Sequence, residues 1–281
     1  MEDHKLTAEM IAEYDKHLRL EERAPGTVEK YLRDIRQFAV WLDGRAITKE
    51  LAVAWKEYLL SQQYAPSTIN GVLAALNGLF CFFGWNECRV KPLKRQRSVF
   101  RSGERELTRG EYLRLLDTAK RAGNERLYLV METLCSTGMR VSELRFITVE
   151  TLERGFAAVD CKGKQRTVLL TKRLRRTLKE YCLRRGIRSG AVFVTRTGRP
   201  LDRSNIWREM QALCERAGVD ASKVFPHNLR HLFAVLFYNE EKDIAKLADL
   251  LGHASIETTR IYIMESSAVH AQRLERLGLV I

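Results

Sequence analysis

The sequence predicts a mainly α protein in two domains. Residues 1–88 read as a four-helix bundle, and residues 107–281 as a larger α+β domain with a small antiparallel sheet. Three observations predict this. Before residue 85, apolar residues recur at helical spacing in four runs separated by Pro, Gly and polar turns. Residues 86–106, NECRVKPLKRQRSVFRSGERE, are polar and strongly basic and lack a periodic apolar face, so 89–106 is read as a basic linker. Beyond Leu107 helical runs resume, interrupted by short strand-like segments around a Lys-Gly turn.

The first helix is carried by Leu6, Met10, Ile11, Tyr14 and Leu18. Pro25-Gly26 breaks the chain, and Thr27 is a candidate cap for a second helix with a wide stripe of Val28, Tyr31, Leu32, Ile35, Phe38, Ala39 and Leu42. Thr48 opens a third, with Leu51, Val53, Trp55, Tyr58 and Leu59, and Pro66-Ser67 opens a fourth, running Ile69 to Phe83. Short loops between four such helices predict a small bundle.

In the second domain Thr108 and Glu111 fit a capping box ahead of Tyr112, Leu113, Leu115 and Leu116. An apolar helix from Leu127 to Cys135 ends at Ser136-Thr137-Gly138, and VSELR begins another helix directly after Arg140. Phe156–Cys161 and Thr167–Leu170 read as a hairpin whose basic tip is residues 162–166, KGKQR. A helix follows from about Lys172 to Arg185, then a third short strand at Val192–Val194. Asp202 or Ser204 starts a helix ending near Gly218, and Pro226 sits in the first turn of the helix that carries His227 and Arg230.

Composition narrows the function. The net charge of +13 and pI near 9.6 point to a polyanionic partner, most simply nucleic acid. The excess is concentrated. Residues 89–105 hold seven basic residues and one acidic, and residues 162–188 hold eleven and one, so the remainder of the chain is slightly acidic. Lys91, Lys94, Arg95, Arg97 and Arg101 in the linker, with Arg166 in the hairpin, are the candidate DNA contacts. A solvated basic face is the plainer alternative. Six cysteines lie scattered without a C-x-x-C pair, which argues for reduced thiols in a cytoplasmic protein and against a disulfide framework or a zinc site. No apolar run reaches membrane length, and MEDHKLTAEM has no signal-peptide core.

The chemistry is sought between Phe225 and Tyr262, which holds His227, His231 and His253 of the chain's six histidines. His227 and Arg230 are three apart and share a helix face. Imidazole, guanidinium, a second imidazole and a phenol form an inventory able to grip a phosphate and attack it. Each residue has a plainer reading. A lone arginine such as Arg140 after a Thr-Gly turn is commonly a solvated charge, whereas a functional one forks onto two phosphate oxygens as lysine cannot. Lys162 and Lys164 suit an exposed turn, and a histidine near a helix start is often structural. His231 points elsewhere and is read as a buried hydrogen-bonding residue.

Four motifs stand in order: Thr-Gly-Met-Arg-Val-Ser-Glu-Leu at 137–144, His-Asn-Leu-Arg-His at 227–231, Leu-Gly-His at 251–253, and Thr-Thr-Arg-Ile-Tyr ending at Tyr262. In order and spacing they resemble the tyrosine recombinases of the lambda-integrase and Xer class across 107–281. The N-terminal bundle resembles that family's SAM-like core-binding domain. The resemblance implies that Tyr262 is the nucleophile and that Arg140 and Arg230 clamp the scissile phosphate. It further implies that His227 takes the tyrosine's proton, that His253 hydrogen-bonds the phosphate, and that Glu143 supports the Arg140 face. The family's lysine-glycine pair favours Lys162 as the acid for the leaving 5′-oxygen. The turn is one residue shorter than in many relatives, so Lys164 stays open.

The implied reaction cuts and rejoins DNA through a 3′-phosphotyrosyl intermediate and a Holliday junction, in integration, excision, inversion or resolution. It needs no ATP, because the covalent bond conserves the phosphodiester energy. No cofactor or metal is implied, since no carboxylate cluster suited to two magnesium ions lies near these residues. The implied partners are double-stranded DNA with short inverted-repeat core sites and three further copies of the chain, as a tetramer on two sites, with no membrane. The first bundle begins within ten residues of Met1, which favours a simple system without an arm-binding domain. Ser266–Ile281, with Val269, Leu274, Leu277, Leu279 and Val280, reads as a final amphipathic helix that could pack on its own domain, while the resemblance implies that it docks on a neighbouring protomer. A type IB topoisomerase-like relaxing enzyme and a non-catalytic DNA-binding regulator are the alternatives.

Overall fold

The computed structural model describes residues 4–94, 105–161, 164–195, 197–263 and 275–276. The chain divides into two compact units, Met1–Arg97 and Ser98–Ile281.

In the first unit the four apolar runs form α1 (Ala8–Leu20), α2 (Pro25–Leu42), α3 (Lys49–Ser61) and α4 (Pro66–Phe82). Thr7 and Thr48 cap α1 and α3, each hydroxyl accepting from a backbone N–H one turn in. Thr27 does not cap α2. That helix starts two residues earlier, at Pro25, whose fixed φ and missing N–H suit the first helical position; α4 starts the same way at Pro66. Ile35, Phe38, Trp55, Ile69, Leu76 and Phe80 are buried in one cluster, each worth about 1.5–3 kcal/mol of burial. His4 stacks on Trp85 and pairs with Glu87; with Cys88 this gathers three possible metal ligands, already engaged with one another.

The basic stretch after residue 88 begins as part of this unit. The Asn77 side chain donates to the Val90 carbonyl and accepts from its N–H, both at 2.8 Å, and Asn70 does the same to Leu93. Val90 is buried, while Lys91 and Lys94 face solvent. Arg95, Arg97 and Arg101 lie outside the described residues.

The second unit opens with the capping box: Glu111 accepts from the Thr108 N–H at 2.8 Å and donates its own N–H to the Thr108 hydroxyl. Then come α5 (Arg109–Arg121) and α6 (Glu125–Thr137), which Gly138 ends in the left-handed conformation at φ 61°. VSELR is a 3₁₀ turn, Val141–Phe146, and not an α-helix, followed by α7 (Val149–Arg154).

The sheet is a hairpin of β1 (Phe156–Cys161) and β2 (Lys164–Leu169). The strands pair as far as Cys161 and Lys164, so only two residues separate them, against the five-residue tip expected. Gln165 and Arg166 are therefore strand residues, and Arg166 pairs with Val159. Val192–Val194 is not a third strand. Its flanks make only isolated bridges, Thr148 with Ala191 and Val194 with Pro200, while Val192 and Phe193 fill the core.

After α8 (Lys172–Arg185), the expected helix up to Gly218 is split into α9 (Arg203–Gln211), capped by Asp202, and α10 (Cys214–Ala217). The unit closes with α11 (Pro226–Glu241), α12 (Ile244–Leu251) and α13 (Ile256–Ile263). The first turns of α11 pack into the main core through Leu229 and Leu232 beside Val130 and Leu134 of α6. Its later turns form a smaller cluster, in which Ala234, Leu247, Leu251 and Tyr262 meet. The expected helix at 266–281 lies outside the described residues except for Glu275 and Arg276. No helix among the described residues is long and apolar enough to cross a membrane.

Candidate active site

Arg140 stands where α6 has ended and the 3₁₀ turn begins. Its N–H donates to Glu143 Oε2 at 2.7 Å and its Nη1 to Oε1 at 3.0 Å. Glu143 is buried, yet its carboxylate also takes Nη2 of Arg166. Burial pushes this carboxyl up; the bonds from Arg166 and from Arg140 outweigh it and hold the group below the usual carboxylate range. Arg140 thus keeps a half-exposed guanidinium steadied on one side and open on the other.

Pro226 starts α11, and the Asn228 side chain donates to the carbonyls of Lys223 and Arg105, so the first turn is held from both sides. This places Arg230 at 1% exposure. Its Nη1 donates to the Gly138 carbonyl at 2.7 Å, and its Nη2 donates to the Leu251 carbonyl and to Nε2 of His253, both at 2.8 Å. Burial, and after it Arg140, pushes its pKa down to about 10. The guanidinium remains charged at neutral pH and joins the turn before Arg140 to the end of α12.

Gly252 ends α12 at φ 64°, turning the chain so that His253 faces Arg230. His253 Nδ1 lies 2.8 Å from Oγ1 of Thr259. Burial, then Arg230, Arg140, Arg166 and His227, push His253 down to about 4, so the ring is neutral at pH 7. Tyr262 packs its ring parallel to His253 at 5.5 Å between centroids, with His231 at 5.4 Å and His227 at 5.7 Å. Its Oη is 3.3 Å from Nε2 of His227, within reach for proton transfer in a ligand-free site.

The fold brings Arg140, Glu143, His227, Arg230, His253 and Tyr262 into one cluster from the 3₁₀ turn, α11, the α12–α13 turn and α13. Among the described residues, the guanidiniums of Arg140, Arg230 and Arg166 lie there with the Glu143 carboxylate, an arrangement suited to an anion. Lys162 lies outside the described residues, and Lys164 opens β2 opposite Cys161. Arg166, expected among the DNA contacts, is turned inward: Nη2 is on Glu143 and Nη1 donates to the Leu250 carbonyl. The cause is the short hairpin turn, which takes Arg166 off the tip and into the ladder. Sequence reasoning missed this role and that of Thr259, which is fully buried beside His253. Arg166 carries no local pattern, and Thr259 stands in the Thr-Thr-Arg-Ile-Tyr motif with nothing in its spacing to pair it with His253.

Residues 105–268 match the phage integrase family, and residues 11–87 match the N-terminal SAM-like domain of phage integrases. The chain belongs to the phage integrase family. Tyrosine recombinase XerA of Pyrococcus furiosus is 30% identical over 287 residues, covering all of this chain and 98% of that protein. Tyrosine recombinase XerD of Mycobacterium tuberculosis is 32% identical over 304 residues, covering 96% of each. A lambda integrase tetramer bound to a Holliday junction shares the fold, with a TM-score of 0.74 at 20% identity over 92% of this chain and 78% of that one. This integrase-family chain is accordingly a tyrosine site-specific recombinase. The relaxing enzyme and the non-catalytic regulator are not favoured.

Proposed function

We propose that this recombinase breaks duplex DNA with Tyr262 and passes the strand through a 3′-phosphotyrosyl bond. His227 Nε2 accepts the phenolic proton as Oη attacks the phosphorus. Arg140 and Arg230 bind the non-bridging oxygens, and His253 adds a hydrogen bond there, stabilising charge that builds in the transition state. The 5′-oxygen leaves with a proton from the hairpin lysine, Lys162 or Lys164. The 5′-hydroxyl of a second strand then gives its proton back to the lysine and attacks the phosphorus, the Tyr262 oxygen leaves and regains its proton from His227, and the exchange yields a Holliday junction. The DNA is a pair of short inverted-repeat core sites held by four copies of the chain. Lys91, Lys94, Arg95, Arg97 and Arg101 supply backbone contacts whose affinity falls with salt.

The observation that carries this reading is the Tyr262 phenol, 3.3 Å from the His227 ring and stacked on His253 beside the arginines. The test is capture of covalent protein–DNA adducts from sheared DNA flanking the gene, followed by a nicked suicide duplex built on the recovered sequence. The wild type should form adducts. Tyr262→Phe should bind the duplex within about twofold of wild type and form none, since its ring lacks the attacking oxygen. Adducts that persist in Tyr262→Phe sink the assignment.

A further inference from the structure

Two hydrogen bonds fix where the proton of His253 sits. Nε2 is 2.8 Å from Nη2 of Arg230, and Nδ1 is 2.8 Å from Oγ1 of Thr259. A guanidinium only donates, so Nε2 is an acceptor and carries a lone pair. The single proton of a neutral imidazole is then on Nδ1, donated to Thr259. The depressed pKa of the ring, set by burial and by Arg230, Arg140, Arg166 and His227 around it, agrees with a neutral form.

The proposed function asks for the opposite arrangement. To donate to a phosphate oxygen, His253 needs its proton on Nε2. That becomes possible once a phosphodiester draws Arg230 onto its own oxygens and leaves Nε2 free. One proton then arrives on Nε2 from solvent and one leaves Nδ1 to solvent, and the ring stays neutral. Nδ1 is left with a lone pair in a buried place and needs a donor. A hydroxyl meets both states, because it accepts in one and donates in the other after rotation about Cβ–Oγ alone. Thr259 is fully buried, and its hydroxyl is the partner that Nδ1 has there. It also lies three residues before Tyr262 on α13, on the same helix face. Docking of the nucleophile and support of His253 therefore come from one turn of helix.

We propose that Thr259 is a positioning residue that holds His253 in the Nδ1–H form without DNA and supports the Nε2–H form when a phosphate occupies the site. The inference rests on the functional reading of Tyr262. Histidine-selective ¹⁵N labelling reports which ring nitrogen is protonated, with the His253 signals identified by their loss in His253→Gln. The DNA-free full chain should show a protonated Nδ1 and a bare Nε2. Tyr262→Phe bound to the recovered duplex should show the reverse. Thr259→Val keeps the shape and removes the hydroxyl. It should lower the cleavage rate on the suicide duplex about 10- to 100-fold, the range usual for loss of a group that orients a reacting side chain, with DNA affinity within about twofold. Thr259→Ser should return to within about threefold of wild type.

An Nε2–H form in the DNA-free protein, or a doubly protonated ring in the complex, overturns the inference. So does a Thr259→Val that cleaves at the wild-type rate while Tyr262→Phe is inactive, and that result leaves the tyrosine assignment standing. If Tyr262→Phe itself forms adducts, the functional reading falls, and the DNA-free spectrum still decides the pairing of Thr259 with His253.

Discussion

Glu143 and Arg166 form an ion pair inside the catalytic unit, the carboxylate at 1% side-chain exposure and the guanidinium at 10%. The same carboxylate holds Arg140 through both its backbone and its side chain. One buried negative charge therefore organises two of the three arginines in the cluster. A buried charge left without its partner costs roughly 3–5 kcal/mol. Glu143→Ala should lower the stability of the catalytic unit by that order, visible as a drop of roughly 10 °C in its melting transition. An unchanged transition would show that the pair is not what holds Arg166 in place.

Acid should weaken the same unit in a defined window. His253 has a folded pKa of about 4 against an ordinary value of 6.5, so between those values the unfolded chain binds the extra proton. Its contribution to stability is complete above pH 6.5 and is lost as pH falls towards 4. Glu143, also depressed, contributes above the ordinary carboxylate value and loses that contribution below it. Stability followed by urea unfolding should fall from pH 6.5 to pH 4. His253→Gln should flatten that slope and leave the steeper acid limb below pH 4 in place. A wild-type profile that is flat from pH 6.5 to 4 would contradict the placement of His253 among the guanidiniums.

Gly252 and Gly123 offer a matched comparison. Both adopt positive φ, 64° and 67°, so alanine at either should cost about 1 kcal/mol of backbone strain. A Cβ on Gly123 meets open space, whereas one on Gly252 overlaps the middle of the Arg166 side chain. That side chain is pinned at both terminal nitrogens, by Glu143 and by the Leu250 carbonyl, and cannot swing aside. Gly252→Ala should cost about 1–3 kcal/mol more than Gly123→Ala and lower adduct formation, while Gly123→Ala should leave it unchanged. Equal effects from the two substitutions would mean that Arg166 is free to move.

What could be read from the sequence was what repeats at fixed local spacing. His227 and Arg230 share a face because they are three apart on a helix, and the Thr108–Glu111 box and the bounds of α8 follow from rules spanning a few residues. Arg166 was misplaced because hairpin register depends on turn length, and a two-residue turn moved it from the tip into the ladder. The strand expected at Val192–Val194 is an apolar run that the core buries and that makes only isolated bridges. Thr259 was not singled out because its partner, His253, lies across a turn whose path is set by Gly252 and α12.

Arg230 separates charge from geometry. It is buried to 1% and spends its two terminal nitrogens on the Gly138 carbonyl, the Leu251 carbonyl and His253. Lysine keeps the charge but offers one nitrogen on a flexible stem, which cannot reach carbonyls on opposite sides and hold an imidazole as well. Arg230→Lys should therefore lose about 2–3 kcal/mol of stability, the scale of charged hydrogen bonds left unmade. It should also lower adduct formation on the order of 10²- to 10³-fold, the usual cost of removing one transition-state donor. Arg140→Lys sits in a half-exposed position whose main tie is to Glu143, so it should lose comparable activity with little stability. Binding of the duplex should stay within a few-fold in both, because backbone contacts elsewhere carry most of the affinity. If Arg230→Lys kept full activity, the phosphate would need only a positive charge there, and the link from the Gly138 turn to the end of α12 would have no part in the chemistry.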